Sequence, residues 1–231
     1  MLSHNDKVQR LVGGGWVERT YLNALSWIQF RVLSTHKSPD VVRLLRQTRR
    51  QRRSLMSAYE IWILHAYAMA QSRRPGAMAE VGVFQGVSAK LLCECKGDKE
   101  LHLFDTFEGL PANCAKDGNV HRLGQYATSV EGVQAFLDGY ENVHIHKGLF
   151  PDSAADLEAK QYCFVNLDVD LYGGTLAGLE YFYPKMIPGG VILSHDYSVL
   201  AGVRKAFDEF LADKPEPLVE LPSTQCVFTK L

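Results

Sequence analysis

The sequence predicts an α/β fold: a doubly wound, mostly parallel sheet with a C-terminal antiparallel hairpin and helices in front of it. Three observations carry this. From Ala77 onward, short apolar runs alternate with helix-period stretches at βαβ spacing. The tail then changes to two short apolar runs around Pro222-Ser-Thr. Acids also stand at the ends of apolar runs, at Asp105, Asp168 and Asp196. Open sheets bind their ligands beyond the carboxyl ends of such strands.

Each element follows from local pattern. Residues 1–20 are polar, with Gly13, Gly14 and Gly15, and read as loose chain. Residues 21–33 read as a helix with Tyr21, Leu22, Leu25, Ile28 and Leu33 near one stripe. Pro39-Asp40 opens a second helix through Val41, Val42, Leu44 and Leu45. Ser57, with Glu60 three residues on, is a capping box for a third, from about 58 to 72, which stops near Arg74-Pro75-Gly76. Strands are expected at 77–83, 101–105, 143–147, 162–168 and 190–195, and helices at 86–96, 129–139, 174–184 and 201–212. The hairpin takes 217–221 and 225–230. This divides the chain into an N-terminal helical cap segment, 1–76, and a ligand-binding domain, 77–231.

Composition narrows the function. At 231 residues and 46% hydrophobic content the chain fills one large core. A net charge of −1 gives no global attraction to nucleic acid. The charge is uneven, with eleven Lys/Arg against three Asp/Glu in residues 1–57. The cluster Arg46, Arg49, Arg50, Arg52 and Arg53 has three readings: a solvated helix face, a grip on an anionic acceptor, or contact with an anionic membrane surface aided by Trp16, Trp27 and Phe30. No RNA-binding module accompanies it, so nucleic acid is not an expected partner. The exposed apolar positions of the N-terminal helices make a homodimer an expectation. The five cysteines are odd in number and lack a Cys-x-x-Cys, so neither zinc site nor disulfide framework follows. The first residues lack an apolar core and no run approaches the ~20 residues that span a bilayer; a cytoplasmic location is expected.

Glu80-x-Gly82-x-x-x-Gly86 ends the first strand and opens a helix, whose free amide N–H groups suit an anion. Ser88 adds a hydroxyl in the first turn. Asp105, ending the second strand, suits a ribose diol, because a carboxylate accepts from both hydroxyls. Phe84 stands where the dinucleotide fingerprint has its second glycine. That crowds a pyrophosphate and favours a smaller group, such as the methionine portion of S-adenosylmethionine.

Asp168 follows the apolar run from Tyr162, and His195 and Asp196 follow Gly190-Val-Ile-Leu-Ser. If these strands are neighbours, two carboxylates and an imidazole converge. Such a set binds a divalent ion, Mg²⁺ by its oxygens or Mn²⁺ by its nitrogen, and one free carboxylate can take a proton. His195 reads equally as ligand, general base or hydrogen-bond partner. Asp170 reads as the cap of the next helix.

The chain resembles the macrocin O-methyltransferase family. The resemblance rests on Ala79-Glu-Val-Gly-Val-Phe-Gln-Gly, His102-Leu-Phe-Asp-Thr-Phe-Glu-Gly-Leu-Pro, Lys147-Gly-Leu-Phe-Pro, Leu167-Asp-Val-Asp-Leu-Tyr, Tyr183-Pro-Lys-Met-Ile-Pro-Gly-Gly and His195-Asp-Tyr, in the family's order and spacing. It implies a class I methyltransferase (Rossmann-like) fold of seven strands and methyl transfer from S-adenosylmethionine to a hydroxyl of a sugar or glycosylated small molecule. By position, Glu80, Gly82, Gly86 and Ser88 would surround the methionine part. Asp105 and Thr106 would hold the ribose, and Gly148 and Phe150 would border the adenine. The resemblance assigns the proton acceptor to Asp168 and a Mg²⁺ (or Mn²⁺) site to Asp168 and to an acidic pair at 195–196. Here His195 replaces the first acid of that pair, so the site has one negative charge fewer. A catechol-type small-phenol methyltransferase and a non-catalytic S-adenosylmethionine-binding protein are the competing readings.

Overall fold

The computed structural model describes residues 13, 15–157 and 159–231. Three helices lead: α1 (Trp16–Leu33), α2 (Pro39–Gln51) and α3 (Ala58–Gln71). Strands and helices then alternate: β1 (Ala77–Val81), α4 (Val87–Lys96), β2 (Leu101–Asp105), α5 (Val130–Phe136), β3 (Val143–Lys147), β4 (Tyr162–Leu167), α6 (Tyr172–Phe182), β5 (Met186–Ser194) and α7 (Ala201–Leu211). The short strands β6 (Val219–Glu220) and β7 (Cys226–Thr229) close the chain.

The seven strands form one sheet in the order β3-β2-β1-β4-β5-β7-β6. β1 to β5 run parallel, β7 lies antiparallel to β5, and β6 antiparallel to β7. Order reverses between β1 and β4, which makes their carboxyl ends the crevice of the fold. Every residue of β1 and β4 is buried, as expected of central parallel strands covered on both faces. On one face Met78, Leu103 and Leu193 pack with Leu64, Ala68 and Leu92. On the other, Ala79, Val81, Phe104 and Ile192 pack with Leu179, Phe182, Val203 and Phe207.

A third cluster joins the leading helices to α4: Phe30, Leu33, Val42, Leu45, Met56 and Ile61 around Leu91. Here the structure differs from two expectations. α1 begins at Trp16, so part of the segment read as loose is helix; residues 1–12 and 14 lie outside the described residues. The buried side of α1 is Leu22, Ser26, Phe30 and Leu33, whereas Ile28 is 55% exposed. A serine on the buried side hid the true stripe. The capping box is present: Glu60 Oε2 accepts from the Ser57 amide at 2.6 Å, and Ser57 Oγ accepts from the Glu60 amide.

Most of the arginine cluster is engaged within the protein, while Arg50 is exposed. Arg49 donates to Met56 O (3.1 Å), Asn23 Oδ1 (3.0 Å) and Leu22 O (3.4 Å), tying α2 to α1 and to the turn before α3. Arg52 donates to Gly132 O at 2.9 Å and covers the Phe136 ring, and Arg46 covers Phe30. Replacing Arg49 with alanine should cost about 2 kcal/mol by urea denaturation, because it strips charge-assisted bonds from three acceptors. Lysine should not rescue it, since one ammonium cannot span the fork; full rescue would count against this role. No helix among the described residues is long and apolar enough to cross a membrane.

Candidate active site

The ladders run on past the strand ends and set the site. The Asp168 amide donates to Val81 O (2.9 Å), the His195 amide to Leu167 O (3.0 Å), the Gly82 amide to Phe104 O (2.9 Å) and the Gly148 amide to Asp105 O (3.0 Å). Gly82, Asp105, Gly148, Asp168 and His195 are thereby held at one sheet edge. They border a cavity of about 580 Å³. Its walls include Gly82, Phe84, Asp105, Thr106, Gly148 and Phe150 at one end, and Asp168, Asp170, His195, Asp196 and Glu60 at the other. Tyr21, Leu22, Leu25 and Gln29 of α1 and Thr224 of the hairpin also line it.

Three residues expected at the ligand do not line this cavity. Glu80, Gly86 and Ser88 lie off its walls. Successive side chains of a strand point to opposite faces; Glu80 lies on the face opposite Ala79 and Val81, wholly buried, and accepts from Asn166 Nδ2 at 2.8 Å. The glycines answer to the protein as well. Gly82 has φ +90°, and a Cβ there would stand 1.8 Å from the Asp168 carbonyl oxygen. At Gly86 (φ +83°) a Cβ would meet Phe136 and Val133 of α5.

Asp105 grips the loop after β1. Its Oδ2 accepts from the Val83 and Phe84 amides, both at 2.8 Å, and Oδ1 from the Phe107 amide at 2.7 Å. Those bonds hold Phe84 at φ +48°, a region uncommon for a bulky residue. Three of the roughly four acceptor sites of a carboxylate are therefore taken by the backbone. Thr106 Oγ1 donates to Gly109 O at 2.9 Å. The Phe150 ring stacks on Phe182 and meets Phe104 edge-on.

Burial pushes the Glu80 carboxyl up to about 8, against the opposing pull of Ser88 and Asn166. The proton is kept by the fold between about pH 4.5 and 8 while the unfolded chain releases it, so stability falls as pH rises through that window. Glu80→Gln should flatten this slope, a difference on the order of a few kcal/mol between pH 5 and 8. Urea denaturation at both values checks it; equal slopes in both proteins would refute it.

At the other end His195 is 7% exposed and ringed by acids. Nδ1 lies 3.0 Å from Asp196 Oδ2 and 3.4 Å from Asp168 Oδ1, and Nε2 lies 3.4 Å from Glu60 Oε2. Burial would depress the imidazole, but Asp196, Asp168 and Glu60 outweigh it and raise its pKa well above the ordinary value. Burial likewise works against ionisation of Asp196, yet His195 holds that carboxyl below its usual range. Asp170 goes the other way: burial, then the neighbouring Asp196 and Asp168, raise it. Asp170 does not cap α6. The first-turn amide of Tyr172 is instead taken by Asp117, and Asp170, at φ +60°, turns into the acid cluster.

Asp168, His195 and Asp196 each offer a ligand atom, all within 4.8 Å of one another. Two carboxylate oxygens and, once the imidazole has given up its Nδ1 proton, a ring nitrogen, with Glu60 behind the other nitrogen, could hold a divalent ion, and the nitrogen favours Mn²⁺ over Ca²⁺. Sequence reasoning missed Glu60 and Asp170 as members of this cluster. Both carried a simpler local reading, as helix caps.

The model of the macrocin O-methyltransferase family matches residues 64–230. The chain belongs to this family. A relative from Streptomyces olivaceus, 8-demethyl-8-(2,3-dimethoxy-alpha-L-rhamnosyl)-tetracenomycin-C 4'-O-methyltransferase, is 29% identical over 54% of this chain and 54% of its own length. The chain spans less than two thirds of the curated relatives it matches. Among solved structures, the O-methyltransferase NovP superposes with a TM-score of 0.68 at 22% identity, covering 77% of this chain and 81% of that one. An O-methyltransferase from Bacillus cereus in complex with SAH gives 0.63 at 14% identity, covering 90% and 100%. The fold of the family member is thus the class I methyltransferase fold.

Proposed function

We propose that this protein transfers the methyl group of S-adenosylmethionine to a hydroxyl of a sugar or glycosylated small molecule. One observation carries the reading: a single cavity joins the Gly82–Asp105–Gly148 edge to the Asp168–His195–Asp196 cluster. The first end suits a nucleoside, with Phe150 as an apolar border for the base and Thr106 beside the ribose. Family membership and a relative named for methylating a rhamnosyl compound support the acceptor class.

The sulfonium methyl is already electrophilic, so the protein has to align the acceptor oxygen behind it and take a proton. Asp168, with its amide on Val81 O and Oδ1 3.4 Å from His195 Nδ1, lines the cavity and is the proton acceptor in this reading. His195, flanked by Asp168 and Asp196, keeps the acids' charge in place without an exposed cation. Asp168, His195 and Asp196 would hold a divalent ion, which supplies Lewis-acid polarisation of a bound hydroxyl. Leu22 and Leu25 of α1 give the cavity an apolar wall. Among the described walls there is no Lys or Arg, which favours a neutral or cationic acceptor over an anionic one.

The deciding experiment has two arms. Calorimetric titration of S-adenosylhomocysteine should give micromolar binding that Asp105→Ala loses, because releasing Val83, Phe84 and Phe107 loosens the loop at the cofactor end. Labelled methyl transfer should then occur to rhamnosyl glycosides and not to catechol. No binding by folded protein would overturn the cofactor assignment; transfer to catechol alone would overturn the acceptor class.

A further inference from the structure

Glu60 carries more than its helix cap needs. A capping box works with glutamate or glutamine at this position, since one side-chain oxygen on the N-cap amide suffices. Here the carboxylate is 5% exposed and reaches three elements. Oε2 takes the Ser57 amide and stands 3.4 Å from His195 Nε2. Oε1 accepts from Thr224 Oγ1 at 2.8 Å and from the Thr224 amide at 3.3 Å. The same carboxylate faces the Nε2 edge of the His195 ring. The buried Nε2 has no hydrogen bond of ordinary geometry among the described residues, and Glu60 is the acid it faces. The other ring nitrogen faces Asp168 and Asp196.

We propose that Glu60 is a positioning residue: anchored by Ser57 and Thr224, it holds the Nε2 edge of His195 across a 3.4 Å contact and so keeps Nδ1 aimed at Asp168 and Asp196. The cap segment thereby sets the orientation of a ring on β5's edge, and the acid lost at position 195 is balanced from α3. This rests on the reading of the acid cluster as the acceptor-activating end. Carboxylates behind metal-binding imidazoles act in this way, fixing the ring and its tautomer.

The test uses the full chain saturated with S-adenosylhomocysteine. Ring ¹⁵N–¹H spectra assign the protons of His195, and Mn²⁺ alone is titrated by electron paramagnetic resonance. Glu60→Gln keeps the cap and should leave S-adenosylhomocysteine affinity unchanged. It should shift the Nε2 proton of His195 and weaken Mn²⁺ binding roughly 10–100-fold. Thr224→Val, which leaves the capping box intact, should move both readouts the same way by less, and it carries the test if Glu60→Gln does not fold. A folded Glu60→Gln protein with the wild-type His195 spectrum overturns the proposal. If the wild type itself ignores Mn²⁺, the metal reading falls, and the ring spectrum alone decides the role of Glu60.

Discussion

Asp168→Ala should lower methyl transfer to the glycoside acceptor by roughly 10²–10⁴-fold, the usual worth of a positioned base, while S-adenosylhomocysteine affinity stays within about threefold. The separation follows from how the residue is held. Its backbone belongs to the sheet, with the amide on Val81 O and the carbonyl against Gly82, so only the side chain is lost to the cavity. The side chain stands 3.4 Å from His195 Nδ1, among the acids of the cluster. Asp168→Asn is the sharper variant, because it keeps the shape and removes the proton acceptor. Single-turnover transfer and calorimetry on both proteins check the prediction. Full activity in Asp168→Asn would transfer the base to another group, and joint loss of transfer and binding would mean that the acid serves the cofactor.

Gly82→Ala should lose more than about 4 kcal/mol of stability, in the range reserved for severe steric conflict. The added Cβ would lie 1.8 Å from a backbone oxygen of Asp168, and the position has φ +90°. Neither problem can be relieved by turning a side chain, because the obstacle is main chain at the end of a central strand. Relief requires β1 and β4 to part at their carboxyl ends, which would carry Asp168 out of register with His195. The melting temperature and soluble yield report the first effect. In any protein that still folds, loss of transfer beyond the fraction unfolded reports the second. A normal melting temperature would show that the two strand ends are looser than their ladder bonds indicate.

The sheet and the acids at its edge were legible because both depend on period. Apolar runs with an acid at or just past the end place Asp105, Asp168 and Asp196 without any knowledge of long-range contacts. What was illegible depends on partners remote in sequence. Glu60 shows its bond to Ser57 three residues away and hides those to Thr224 and His195. Asp170 resembles a cap because helix α6 follows it, yet the amide it would cap is met by Asp117 from another loop. The arginines kept three readings open because the acceptors of Arg49 and Arg52 are mostly main-chain carbonyls, which carry no sequence signal. The glycines of the first loop were placed correctly as turn residues, but the atoms crowding them are Asp168 O and α5 side chains.

The bond between Glu60 and Thr224 spans 164 positions. Closing a loop of that length has an entropic cost that only a nearly complete fold offsets. An intermediate with a finished β1–β4 core but an undocked hairpin would therefore lack the anchored carboxylate. The same holds for transient openings of the native state: detaching β6 and β7 would release Thr224 and disconnect Glu60 from its second anchor. Amide exchange at Thr224 should therefore rise as the order of the His195 ring falls, making the hairpin's local unfolding a direct readout of how intact the acid cluster is.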